Sequence, residues 1–305
     1  MRKQFSQTVY EVAKEDPKLV AMVGDISHGI FGDMRRDFPE RYLNVGVCEP
    51  TMMGIAAGFA MVGLRPVVHT IAPFLIERSY EQIKLDFCYQ ELGASIVSVG
   101  SAFDYGDLGC SHHTYGDYGI LKLLPGMEIV YPASPKEFDR LFRQTYDDGK
   151  PTYFRLPGTT HGIEFADEAI RFGQAIKVRE GTDLTIVALG PQLRSAIGAA
   201  DALASRGVST EILYPHTIRP LDTDTISESA RKTGKVLVVE EHSAAGGVGA
   251  DVAMLLSGQG IPVDRFGIPD SFIHEYGTYE DHCDQLGFTA AGVEKRALAL
   301  LGITA

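Results

Sequence analysis

Short apolar runs that end in turn residues alternate with helical segments along most of this chain, and that rhythm restricts the fold more than any other feature. LVAMVGD, at residues 19–25, is apolar until it reaches Gly24 and Asp25, as a buried parallel strand ending at a loop would be. YLNVGV, RPVVHTI, ASIVSVGS, GMEIVYPAS and PTYFRLPG repeat the pattern. MRKQFSQTVYEVAKEDP, TMMGIAAGFAMVG, YEQIKLDFCYQEL and PKEFDRLFRQTYDD read as the intervening helices, with Pro50 suited to a first helical turn. An open, mostly parallel α/β sheet is the expected result.

The rhythm breaks over residues 157–175, where Pro, Gly, Thr and charge occur without clear periodicity. A second α/β series then runs through DLTIVALG, QLRSAIGAADALASRG, STEILYP, TDTISESARKTG and KVLVVEEH, and through a glycine-rich turn into ADVAMLLSGQG. Two consecutive α/β domains with mostly parallel sheets are therefore expected, residues 1–170 and 171–305, each large enough to bury its own core.

Charge narrows the partners. A formal net charge of −12 with scattered Lys and Arg would repel a phosphate backbone, so nucleic acid is not expected as a partner. Cys48, Cys88, Cys110 and Cys283 are far apart and form no C-x-x-C pair, which argues against a zinc or redox centre and for reduced, mostly buried thiols. No apolar run reaches the roughly 18 residues of a membrane span, and the first segment lacks the apolar core of a secretory signal. A cytoplasmic location is expected.

VGVCEPTMMGIAAGFAMVGLRPVVHTIAPFL resembles the transketolase superfamily, and the resemblance continues through SYEQIKLDFCYQELGASIVSVGS, GDLGCSHHTYGDYGILKLLPGMEIVYPAS and VVEEHSAAGGVGADVAMLL. It implies a thiamine-diphosphate-binding pyrimidine domain followed by a transketolase C-terminal domain. On residue type alone Glu49 is a glutamate favoured at a helix start by the macrodipole. The resemblance gives it a chemical role, because a carboxylate on the aminopyrimidine ring nitrogen favours the tautomer that activates the cofactor. Phe74 matches the aromatic residue whose face stacks on that ring, and Tyr80 matches a second one six positions further on. Glu77 stands where some transketolases have an intermediate aromatic residue.

In the segment GDLGCSHHTYGD, His112 after Ser111 resembles the family histidine that lines the substrate channel and meets substrate hydroxyls and the developing oxyanion. His113 replaces the usual Gln, and Asp107 lies one residue before the place of the family aspartate, which Leu108 holds. Ser27 and His28, on the loop after the first strand, are further substrate-contact candidates. Arg155 matches the first of two arginines in the family, and Gly158 replaces the second, whose guanidinium contacts a substrate phosphate. An unphosphorylated or differently substituted sugar is the expectation that follows.

The family's G-D-G and Asn-Asn motifs, which hold the diphosphate and Mg²⁺, have no counterpart here beyond Gly24-Asp25-Ile26. No metal ligands are assigned to this chain, and a separate subunit carrying the diphosphate domain is expected, in an α₂β₂ assembly. The turn Gly246-Gly247-Val248-Gly249 superficially resembles a phosphate loop and is read as strand-to-helix packing. Together these readings describe the smaller subunit of a split transketolase acting on small sugars. The rivals are an oxo-acid dehydrogenase E1 β-subunit, a deoxyxylulose-phosphate-synthase-like enzyme, and a non-catalytic subunit that retained the fold.

Overall fold

A computed structural model describes residues 1–303. The first series of apolar runs forms β1 (Leu19–Val23), β2 (Tyr42–Asn44), β3 (Arg65–Ile71), β4 (Ala94–Val99), β5 (Glu128–Val130) and β6 (Pro151–Leu156). The second forms β7 (Ile176–Arg179), β8 (Leu184–Ala188), β9 (Thr210–Tyr214), β10 (Thr217–Arg219), β11 (Val236–Ser243) and β12 (Val263–Ile268). Seven strands make one sheet in the order β10-β5-β6-β4-β3-β1-β2, and five make the other in the order β12-β11-β8-β9-β7. Pairing is parallel except for β10 on β5 and β7 on β9. Every residue of β1, β4, β6, β8 and β9 is buried, as strands covered by helices on both faces must be.

Helices lie where the pattern puts them, at Arg2–Glu15, Glu49–Met61, Pro135–Thr145, Leu193–Ala204, Thr223–Thr233 and Val248–Leu255. Local signals set their ends: Ser134 and Asp222 accept from the backbone N–H groups of Glu137 and Thr225, and Gly234 closes its helix at a φ of 73°. Three features depart from expectation. The segment expected as one helix over residues 80–92 is a short turn, Tyr80–Gln82, running into a π-helical turn, Ile83–Cys88. The strand expected over residues 42–47 stops at Asn44. The second half also adds β7, β10, β12 and two closing helices, Tyr279–Leu286 and Ala290–Leu301.

The two halves do not part at a single point in the sequence. No strand lies between β6 and β7, yet β10, from the second half, pairs antiparallel with β5 through Thr217 opposite Val130 and Arg219 opposite Ile129. A buried polar seam joins the halves further. The Tyr118 hydroxyl donates to Glu240 Oε2 at 2.6 Å, the Tyr118 ring stacks on His242 at 3.8 Å, and Lys122 Nζ meets Asp251 at 2.6 Å. The glycine-rich turn serves this seam: the N–H groups of Val248 and Gly249 both donate to the Glu240 carboxylate at 2.7 Å. The start of that helix is thus filled by the chain's own anion, and a Cβ on Gly247 would overlap the same carboxylate.

Candidate active site

Loops at the carboxyl ends of parallel strands are where an open α/β sheet offers a crevice, and the expected site residues other than Arg155, which lies within β6, come in the segments following β1, β2, β3 and β4. Gly24, Asp25, Ser27, His28, Glu49 and Phe74 line one cavity of about 350 Å³ there. Asp25 and Ser27 hold φ values of 69° and 65°, a left-handed backbone that non-glycine residues adopt at a cost.

Glu49 is the first residue of the helix Glu49–Met61, followed by Pro50, so the helix start favours its charge. Its side chain is 1% exposed; Arg78 Nη1 donates to Oε2 at 2.9 Å, and Oε1 is buried with no hydrogen-bond partner among the described residues. Phe74 lies in the short helix Ala72–Ile76 and is half-buried. The Arg78 guanidinium sits 4.4 Å over the Phe74 ring, and the His112 ring meets it edge-on at 5.0 Å. Glu49, Phe74 and His112 therefore converge, although they come from three separate loops. Ser111 Oγ lies 2.9 Å from His112 Nδ1, which orients the ring.

His69, at the end of β3, is not among the residues that the sequence singles out. Burial pushes it down to about 4, so the imidazole is neutral at pH 7; Nδ1 donates to the Val97 carbonyl at 2.8 Å. Nε2 is then an acceptor, and Ser27 Oγ donates to it at 3.0 Å. His28 lies between Arg35, 2.5 Å from its Nε2, and the Tyr42 hydroxyl, 2.8 Å from its Nδ1, which fixes its ring at the cavity edge. A polar residue within the apolar run RPVVHTI is the one signal of His69, and nothing in sequence spacing points to Arg78.

Other expected residues fall elsewhere. The Tyr80 hydroxyl donates to the Ile120 carbonyl at 3.3 Å, and Tyr80 does not line the cavity of Glu49. Asp107 is exposed and lines a second cavity, of about 440 Å³, with Arg2, Asp104, Tyr105 and Gly158. The Tyr105 ring, in the wall of this second cavity, lies 6.1 Å from the His112 ring. Arg155, expected at the substrate, is fully buried in the seam between the halves: Nε donates to Asp117 Oδ2 at 2.9 Å and Nη2 to the carbonyls of Thr114 and Glu241. It holds the two halves together and does not face either cavity. His113 is also buried, packed against His282 at 5.2 Å, where burial lowers its pKa and where it anchors the His112 loop to the second half.

Residues 1–160 match the transketolase pyrimidine-binding domain, and residues 173–293 the transketolase C-terminal domain. The B subunit of the apulose-4-phosphate transketolase of Phocaeicola vulgatus is 33% identical over 300 residues, covering 97% of this chain and 96% of that protein. The 1-deoxy-D-xylulose-5-phosphate synthase of Heliobacterium modesticaldum is 32% identical over 302 residues, but this chain spans only 46% of its length. Among solved structures, a split-gene transketolase described as an inactive β4 tetramer superposes with a TM-score of 0.88 at 31% identity, covering 100% of this chain and 98% of that one.

Proposed function

Because this chain belongs to the transketolase family, we propose that it is the smaller subunit of a split transketolase, moving a two-carbon ketol unit from a ketose to an aldehyde acceptor. The observation that carries the reading is Glu49, a carboxylate buried at a helix start with one oxygen left without a partner among the described residues. Such an orphan costs about 1–3 kcal/mol until a donor reaches it, and the aminopyrimidine ring nitrogen of thiamine diphosphate, an acceptor when unprotonated, becomes that donor in its protonated or imino form, which the carboxylate favours. Phe74 offers an apolar face for the ring. When bound, the cofactor supplies the nucleophilic carbon that takes up the ketol unit. Glu49 holds the ring nitrogen in its hydrogen-bonded form, Phe74 excludes water, and His112 accepts and returns protons at substrate hydroxyls. Ser27, whose hydroxyl is aligned by neutral His69, contacts substrate oxygen beside His28.

The diphosphate and Mg²⁺ are assigned to a separate subunit in an α₂β₂ complex. The helix that begins at Glu49 continues outward with Ile55, Met61 and Val62 exposed, and Gly54 and Gly58 open to close approach. This exposed apolar face runs on from the cavity, and we assign it to the same partner subunit. No helix of the described residues is long and apolar enough to cross a membrane, and the cytoplasm is the proposed location.

Gly158 bears on the sugar. Its N–H is already committed to Asp104 Oδ2 at 2.8 Å, so it offers a phosphate nothing, and we take an unphosphorylated or altered-terminus ketose as one substrate. Gly158→Arg is a poor restoration, since a Cβ there would lie 2.9 Å from Asp104 Oδ1. Comparing kcat/KM for D-xylulose 5-phosphate and D-xylulose in the assembled enzyme decides the matter, and a strong preference for the phosphate would sink it. The test of the whole reading is ketol transfer that appears only when the chain and its partner are mixed. Decarboxylation of a 2-oxo acid in its place would transfer the assignment to the E1 β-subunit or synthase reading.

A further inference from the structure

Glu49 is covered on both sides. Oε2 accepts from Arg78 at 2.9 Å, and Oε1, though unpartnered, is buried, so an arriving ligand meets no exposed oxygen until something moves. The same guanidinium lies 4.4 Å over Phe74. A flat cation that donates to Glu49 while stacking on Phe74 makes both contacts expected there of a flat, nitrogen-bearing ring. The two partners differ in how firmly they are held. Glu49 is 1% exposed, whereas the Arg78 side chain is 47% exposed on a long flexible stem. The arginine is free to leave, but the buried carboxylate cannot stay unpaired without a large penalty.

We propose that Arg78 belongs to the cofactor site and that, in the free chain, its guanidinium stands in for the aminopyrimidine and yields its place when the ring arrives. The proposal rests on the reading of Glu49 and Phe74 as the pyrimidine site. The competition is for the Phe74 face, over which the guanidinium lies, and the unpartnered Oε1 gives the ring an acceptor of its own on Glu49 as Arg78 leaves that face and its hold on Oε2. No bond is made or broken beyond these contacts. The intrinsic affinity for the ring is then reduced by the share of molecules in which Arg78 holds the site.

The experiment measures binding of thiamine, which carries the pyrimidine without the diphosphate, to the full-length chain by calorimetry and ligand-observed NMR. Wild type, Arg78→Ala and Arg78→Lys are compared. Removing the competitor is expected to tighten binding about tenfold in Arg78→Ala. Arg78→Lys, which keeps the charge but not the flat stacking surface, falls between. The ligand-free alanine variant melts earlier than wild type, and thiamine raises its midpoint more. Weaker binding in Arg78→Ala makes Arg78 an ordinary ligand of the ring and overturns the proposal, as does unchanged binding. If the alanine variant does not fold, the lysine variant decides alone: tighter binding than wild type sustains the proposal, and equal or weaker binding overturns it. Thiamine binding to none of the three would overturn the role of Arg78, which requires a site that the free chain can open, as would binding that changes in the wrong direction; the pyrimidine assignment itself stands or falls separately, on Glu49→Gln in the assembled enzyme.

Discussion

Phe74 shares a cavity with Glu49 and touches the His112 ring, and under the roles proposed for the three, substitution is expected to separate them. Glu49→Gln keeps the volume while removing the charge, so the assembled enzyme should lose at least about 100-fold in kcat while still assembling. Wild-type turnover in that variant would remove the central assignment. Phe74→Ala should weaken cofactor binding by about 1 kcal/mol, whereas His112→Ala should slow turnover with the cofactor still bound. A titration of cofactor against rate distinguishes the two; if both variants changed affinity alone, His112 would have no catalytic duty. These three positions are legible in the sequence because each stands in a recognisable local motif. Arg155 is not, for the opposite reason: an arginine in an apolar strand looks the same whether it faces a substrate or a carboxylate 38 residues upstream, and only the fold brings Asp117 to it.

At the level of single elements, most strands and helices follow from apolar periodicity and end signals, while β10 does not. It is three residues long, and its pairing depends on a distant edge instead of its own composition. The glycine-rich turn is structural, as its sequence suggests, and the structure adds the reason: Glu240 fills the helix start. Gly247→Ala should therefore cost about 1–3 kcal/mol through overlap with that carboxylate, seen as a lower midpoint in urea unfolding. The neighbouring His242 makes a pH prediction. Burial, partly offset by Asp117, pushes it down to about 4 from an ordinary 6.5. As pH falls below 6.5 the unfolded chain takes up the proton before the folded one does, so this residue's contribution is full above 6.5 and declines towards pH 4. In His242→Gln the slope of stability against pH across that window should flatten by about 1.4 kcal/mol per pH unit. An unchanged slope would mean that His242 is not protected from protons in the folded state.

Across the whole molecule, the seam between the halves is charged, buried and dependent on Arg155. Arg155→Ala leaves the Asp117 charge uncompensated at full burial, with the Tyr153 hydroxyl still donating to it, and is expected to cost about 3–5 kcal/mol, lowering the thermal midpoint of both halves together. Two separate transitions with the first at its wild-type temperature would contradict this. The presence of two α/β units is legible in the break over residues 157–175, but their mutual fastening is not, because it is built from single residues scattered from Thr114 to Asp251. The edge pairing of β10 on β5 has a mechanical meaning as well. Swinging the halves apart about the intervening segment would tear a strand from a sheet, which leaves the molecule without a hinge. On the proposed reading, access to the crevice then depends on what docks over its mouth, and the chain is a fixed half-mould closed by a second surface.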